Sequence, residues 1–356
     1  MTLNQPPVIC TQRNEGSLRV DQQLADHDNA MTEFHILSEA VGNRKLAYSR
    51  LGELSAKHIF VCLPGLLETR ESFDALLQTT KPYEECCWLS LDYCGRGGSD
   101  PLPATSAYSF TQYLADTKAL IESLVFSQKT DQKTKKLHLI GTSMGGILAL
   151  YLANRLEHKV DSLIINDIGL NLHWSALVSL YQRIDESKVQ LKQLKLDPRA
   201  VEAVRGRAHF DLPCEFDLLG MKFQSLLKNH KARVVLVHNA HSPICSLEIA
   251  EQSQKQCPHI RVWTLERHGH PALWDESITI KLMHLLRIKP KSPEDIESAT
   301  TPAQTDTLID REVLSPEMVD IFIKTSQIYL APSAVKTSRW FIVLADRLMF
   351  WKRSFS

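Results

Sequence analysis

Leu137-His138-Leu139-Ile140-Gly141-Thr142-Ser143-Met144-Gly145-Gly146-Ile147-Leu148 is the stretch on which the fold turns. Its first half is an apolar run of strand length, and its second half opens an apolar, helix-length segment that continues to Asn154. The lack of charge from Leu137 to Asn154 could suggest a membrane span, but Gly-Thr-Ser-Met-Gly-Gly at its centre reads as a turn between a strand and a helix. Gly-x-Ser-x-Gly arises by chance about 0.1 times in a chain of this length, so its setting gives it meaning. In so sharp a turn the serine takes a strained backbone, and side chains two residues to either side would collide, hence Gly141 and Gly145. The turn would present the Ser143 hydroxyl at the edge of a sheet. The next amide, Met144, would sit at a helix N-terminus facing any negative charge that develops there.

Outward from this point, short apolar runs alternate with segments of helical period. Residues 34–38 and 45–51 predict a hairpin around Gly42-Asn43. Strand-like runs follow at 58–63, 87–92, 136–141, 161–166, 233–238 and 260–265, with helices between them near 70–80, 111–126, 144–157, 246–256 and 275–287. Continuous apolar runs such as Leu163-Ile164-Ile165 suit strands covered on both faces, and strand–helix alternation implies a mainly parallel sheet. The fold class is α/β, with one main domain over about residues 33–288. Residues 167–232 exceed what one crossover needs. Leu177, Leu180, Tyr181 and Ile184, then Phe216, Leu219, Phe223 and Leu226, recur at helical spacings, which predicts a helical lid over about 169–231, with plain packing helices as the alternative.

The ends differ in composition. Residues 1–32 are polar and aperiodic and read as a flexible extension. Residues 289–312 are rich in Pro, Thr, Ser and acids and read as a linker, and 313–356 as a helical tail. Within the tail, 334–353 sets Trp340, Phe341, Leu344 and Trp351 among Lys336, Arg339, Arg347 and Arg353. It is too short and charged to span a bilayer, but suits a membrane surface, a protein partner, or its own domain.

Lys plus Arg and Asp plus Glu are equal at 41 each, so no overall field favours nucleic acid. The eight cysteines show no zinc-ligand spacing and read as buried thiols. The first residues lack a basic start with an apolar run, and together these features suggest a cytoplasmic location. No motif for a cofactor or metal is present.

A serine hydroxyl is a weak nucleophile unless a base takes its proton, and histidine titrates in the right range. Among fourteen histidines, His270 in Gly269-His270-Pro271 combines a loop just past the last strand with a place after the serine in chain order, with His268 as a close neighbour. A second oxyanion amide is expected after the strand Ile59–Leu63, where Pro64-Gly65-Leu66 lets the backbone turn inward. Leu66 is the expected donor beside Met144.

Taken together, Pro64-Gly65-Leu66 with Phe73, Asp92 to Asp100, Gly141 to Gly146, Asn166-Asp167-Ile168-Gly169 and Gly269-His270-Pro271 resemble the α/β-hydrolase fold family over about residues 34–288, in particular its bacterial esterase-like branch with a helical lid. The resemblance implies a cofactor-independent serine hydrolase acting on an ester or related acyl bond of a small, partly apolar substrate. It also implies a structural role for Asp92 to Ser99. Two departures stand out. Pro64-Gly65 replaces the usual His-Gly, and Pro243 stands where the family carries its triad acid. Members that take their acid from the end of the strand after the nucleophile helix point to Asp167 as a replacement, with helix capping as its alternative role. Asp275 and Glu266 flank His270 in sequence. A hydrolase fold that has lost catalysis, and binds partners through its lid or tail, is the rival reading.

Overall fold

The computed structural model describes residues 31–36, 43–127 except 82 and 84, 135–180 except 179, 195–204, 209 and 211–290. The N-terminal extension up to residue 30, the linker beyond residue 290, the tail with its 334–353 segment, Gly42, and the predicted lid residues Tyr181 and Ile184 lie outside the described residues.

The chain alternates β1 (Met31–Ile36), β2 (Lys45–Leu51), β3 (His58–Leu63), α1 (Asp74–Thr79), β4 (Cys86–Leu91), α2 (Phe110–Ile121), β5 (Lys136–Thr142), α3 (Met144–Leu156) and β6 (Val160–Asn166). After β6 come β7 (Asn171–His173), α4 (Pro198–Ala203), β8 (Glu215–Phe216), β9 (Gly220–Lys222), β10 (Arg233–His241), α5 (Leu247–Gln256), β11 (Ile260–His268) and α6 (Glu276–Leu286). An eight-stranded sheet runs β1-β2-β4-β3-β5-β6-β10-β11. β2 is antiparallel to both β1 and β4, and the remaining pairs are parallel.

Strands alternate side chains between faces, and here the two faces are different cores. Val61, Leu89, Leu139, Leu163, Ile165 and Leu236 pack with Tyr113, Leu148, Leu152 and Ile249 of α2, α3 and α5. Phe60, Trp88, Ile140, Ile164 and Val237 pack with Leu76, Leu77, Leu282 and Met283 of α1 and α6. Central strands buried on both faces explain the unbroken apolar runs in the sequence.

Boundaries move slightly. The helix expected over 70–80 opens as a 3-10 turn at Arg70–Phe73, and the one expected over 111–126 closes as a π-turn at Glu122–Phe126. β10 and β11 run three residues further than expected, to His241 and His268. The larger correction concerns Phe216 to Leu226, where the helical spacing of apolar residues misleads. β8 and β9 form a hairpin there and join β7 in a second, three-stranded sheet, followed by a 3-10 turn at Gln224–Leu226. The Asp217 carboxylate accepts the N–H groups of Leu219 and Gly220 at 2.8 and 3.2 Å, a side-chain-capped turn that competes with helix. Leu219 is 66% exposed, so the spacing marks no buried helical face.

Candidate active site

Parallel strands bring their carboxyl ends to one edge, where loops gather chemistry from distant parts of the chain. Register does the rest. Thr142 pairs with Asn166, so Ser143 and Asp167, each one residue further on, emerge side by side. Leu63 pairs with Gly141, which sets Pro64-Gly65-Leu66 on the other flank.

Ser143 has φ 49° and ψ −112°, a backbone that most side chains avoid. A Cβ on Gly145 would meet the Leu63 carbonyl oxygen at 2.0 Å, and one on Gly141 would meet the Gly145 oxygen at 2.2 Å, so both positions require glycine. Met144 is the first residue of α3, and its N–H therefore has no partner within the helix.

His270 stands between the two strand ends. Its Nε2 lies 2.8 Å from Ser143 Oγ and its Nδ1 lies 2.8 Å from Asp167 Oδ2. Asp167 is fully buried, and its Oδ1 accepts the Asn239 N–H at 3.1 Å. Two asparagines fasten the histidine loop. Asn166 Nδ2 donates to the Ala272 carbonyl at 2.7 Å, and Asn239 Nδ2 donates to the Gly269 carbonyl at 3.2 Å. The sequence reading did not single out either side chain in this role. Asn239 opens the segment that leads to Pro243, and its own N–H holds the carboxylate of Asp167, the residue just past β6.

The loop around Pro243 is a turn capped by Ser242, whose Oγ accepts the N–H groups of Ile244 and Cys245 at 3.2 and 3.0 Å. Asp275 caps α6 through the Ile278 N–H, Glu266 is exposed, and the His268 side chain lies outside the described residues. Asp92 accepts the Arg70 and Gly98 N–H groups at 2.7 and 2.9 Å and pairs with the Arg70 guanidinium, fastening its loop. Asp167, His238 and Cys245 bring three potential metal-ligand atoms within 4.8 Å of one another, but this carboxylate is already held by His270 and Asn239. Burial pushes the Cys245 thiol well above its ordinary range.

Leu66, Met144, Ser143 and His270 line one pocket. Its other walls are apolar, among them Phe110, Ile147 and Ile168, Leu177 and Leu180 from the segment after β7, and Ile244 from the loop after β10. Beside it, the Gly65 N–H is taken by Glu68 Oε2 at 2.7 Å, and burial raises the Glu68 carboxyl above its usual value.

The eight-stranded order, the strained serine between β5 and α3, and the histidine after the last strand define the α/β-hydrolase fold, which this chain has. A family model described as alpha/beta hydrolase fold matches residues 58–193. The chain is 31% identical over 137 residues to a 3-hydroxybutyrate-oligomer hydrolase of Cupriavidus necator, a match covering 38% of this chain and 43% of that relative. Its structure resembles an α/β hydrolase from Novosphingobium aromaticivorans, at 20% identity and TM-score 0.56 over 73% of this chain and 99% of that one. It also resembles an esterase from Exiguobacterium antarcticum, at 17% identity and TM-score 0.52 over 72% and 100%. At these identities the structural likeness is one of fold.

Proposed function

We propose that the protein is a serine hydrolase that cleaves an ester or related acyl bond of a small, partly apolar substrate. The observation that carries this reading is His270, which spans Ser143 and Asp167 with 2.8 Å on each side. Ser143 Oγ attacks the acyl carbon as its proton passes to His270 Nε2. The amides of Leu66 and Met144 hold the oxyanion, and His270 returns the proton to the leaving group. Water then repeats the sequence on the acyl-serine. Asp167 keeps Nδ1 protonated, so that Nε2 faces the serine as an acceptor, and it balances the imidazolium.

The apolar lining supports an apolar acyl or alkyl group, and the segment 169–231 acts as a lid over it. No cofactor is required. A catalytically impaired scaffold loses its main motive when Asp167 stands in for the acid missing at Pro243. The described cysteines are all free, which favours a reducing compartment such as the cytoplasm. Among the described residues no helix is long and apolar enough to cross a membrane. The 334–353 segment remains our candidate for contact with a membrane surface or protein.

A fluorophosphonate probe tests the nucleophile: the wild type should label and Ser143→Ala should not. Equal labelling, or none, would overturn the assignment. A panel of short- to long-chain esters should include 3-hydroxybutyrate oligomers, after the name of the Cupriavidus relative. Ser143-dependent turnover of at least one ester is expected.

A further inference from the structure

Arg96 lies in the loop after β4 and is 2% exposed. No carboxylate among the described residues lies within ion-pair distance of its guanidinium, although the charge reaches the Glu68 carboxyl and favours its ionised form, and Nη1 approaches the Glu68 carbonyl at 3.4 Å. What surrounds it instead is the machinery of the pocket. Nη1 donates to the Gly65 carbonyl oxygen at 2.8 Å, Nη2 approaches the Tyr113 hydroxyl at 3.5 Å and Met144 Sδ at 3.9 Å, and the guanidinium lies 5.1 and 5.0 Å from the Tyr93 and Tyr113 rings.

The Gly65 carbonyl and the Leu66 N–H belong to one peptide unit. That unit is planar and trans, so its C=O and N–H point in opposite directions. A donor gripping the oxygen from below therefore aims the Leu66 N–H away from itself, and it polarises the amide into a stronger donor. The same cation touches the side chain of Met144, whose N–H is the other expected donor. Burying a charge is costly unless it is hydrogen-bonded, and here the field of the cation is shared with the Glu68 carboxyl, so its specific effect on the pocket runs through the hydrogen bond to the Gly65 carbonyl.

We propose that Arg96 is the positioning residue of the oxyanion site, acting through the Gly65–Leu66 peptide. The proposal rests on the serine-hydrolase reading above. Its loop is clasped in turn by residues 195–197, within the predicted lid. The Gly97 N–H donates to the Lys195 carbonyl at 2.6 Å, the Asp197 N–H donates to the Gly95 carbonyl at 2.8 Å, and Arg96 and Leu196 form a β-bridge.

The test compares wild type, Ser143→Ala, Arg96→Met and Arg96→Lys on p-nitrophenyl butyrate, with active sites counted by fluorophosphonate labelling. In Arg96→Met, kcat per labelled site should fall about 10²–10³-fold with KM little changed, the size of losing one oxyanion donor. Arg96→Lys keeps a charge and one donor but not the planar fork, and should recover at least about tenfold of that loss. A packing role alone would lower the labelled fraction or Tm and leave kcat per labelled site intact, and that result overturns the proposal, as would a change confined to KM. Were Arg96→Met not to fold, Arg96→Lys decides: kcat per labelled site about threefold or more below wild type upholds the proposal, and a smaller change overturns it. Wild-type protein without Ser143-dependent turnover would instead bring down the serine-hydrolase reading, and this proposal with it.

Discussion

Asp167→Asn is the sharpest single perturbation of the site, because the surroundings dictate how the new amide must lie. Asn239 presents an N–H to Oδ1 at 3.1 Å, so the oxygen of the asparagine has to stay there. Its NH₂ group then takes the place of Oδ2, 2.8 Å from His270 Nδ1. Two N–H groups cannot face each other at that distance, so Nδ1 gives up its proton and Nε2 keeps one. The imidazole then donates toward Ser143 where it should accept, and the imidazolium loses its counter-charge. The same wrong-tautomer defect in serine proteases costs about 10⁴-fold in kcat, or about 5 kcal/mol of transition-state stabilisation. The buried site should still fold, since Asn is nearly isosteric and keeps the Asn239 contact. The assay is kcat/KM for p-nitrophenyl butyrate at pH 7.5 on protein whose Tm lies within a few degrees of wild type. Turnover within tenfold of wild type would refute the argument that Asp167 serves His270.

Two further outcomes follow from geometry elsewhere. Leu177→Trp fills part of the apolar pocket that Leu177 and Ser143 both line and should remove room for about three methylenes, at about 0.8 kcal/mol each. Long-chain esters should lose roughly 60-fold in kcat/KM relative to acetate, and an unchanged chain-length profile across an ester series would show that the acyl chain binds elsewhere. Far from the site, at the opposite end of the sheet, His58 Nδ1 lies 3.0 Å from His138 Nε2 and His138 Nδ1 lies 2.6 Å from Ser162 Oγ. Burial depresses His138 to about 3 and His58 below its usual value. The folded chain thus holds the pair neutral while unfolded imidazoles take up protons below about 6.5. The stability involved is complete above that value and is lost progressively as pH falls toward 3. For His138 alone the loss from pH 7 to pH 5 is about 2 kcal/mol. Urea midpoints at the two pH values should show it, and His138→Asn should flatten the difference; a wild-type-like slope in the variant would exclude His138 as the source.

Much of this was written in local pattern. Gly141 and Gly145 could be read because a collision two residues from a strained serine leaves no other choice, and the strand core could be read because burial on both faces demands unbroken apolar runs. The segment 215–226 could not. Its apolar residues satisfy a helical spacing by coincidence, and the Asp217 turn that decides for strands acts through hydrogen bonds that composition does not reveal. Asn166 and Asn239 escaped notice for a related reason, since a buried amide acquires its role only from what lies across the fold.

What the sequence by itself determined is the sharp turn at Ser143, the order of strands and helices of the main sheet, and the histidine placed after the last strand, all of which depend on neighbours a few residues apart. Whether a carboxylate reaches that histidine depended on register: Thr142 opposite Asn166 sets Ser143 beside Asp167, while β11 returns His270 to both. The grip of Arg96 on the Gly65 carbonyl is of the same kind. Such contacts join residues tens of positions apart, and only the packed sheet brings them within the few ångströms over which hydrogen bonds act.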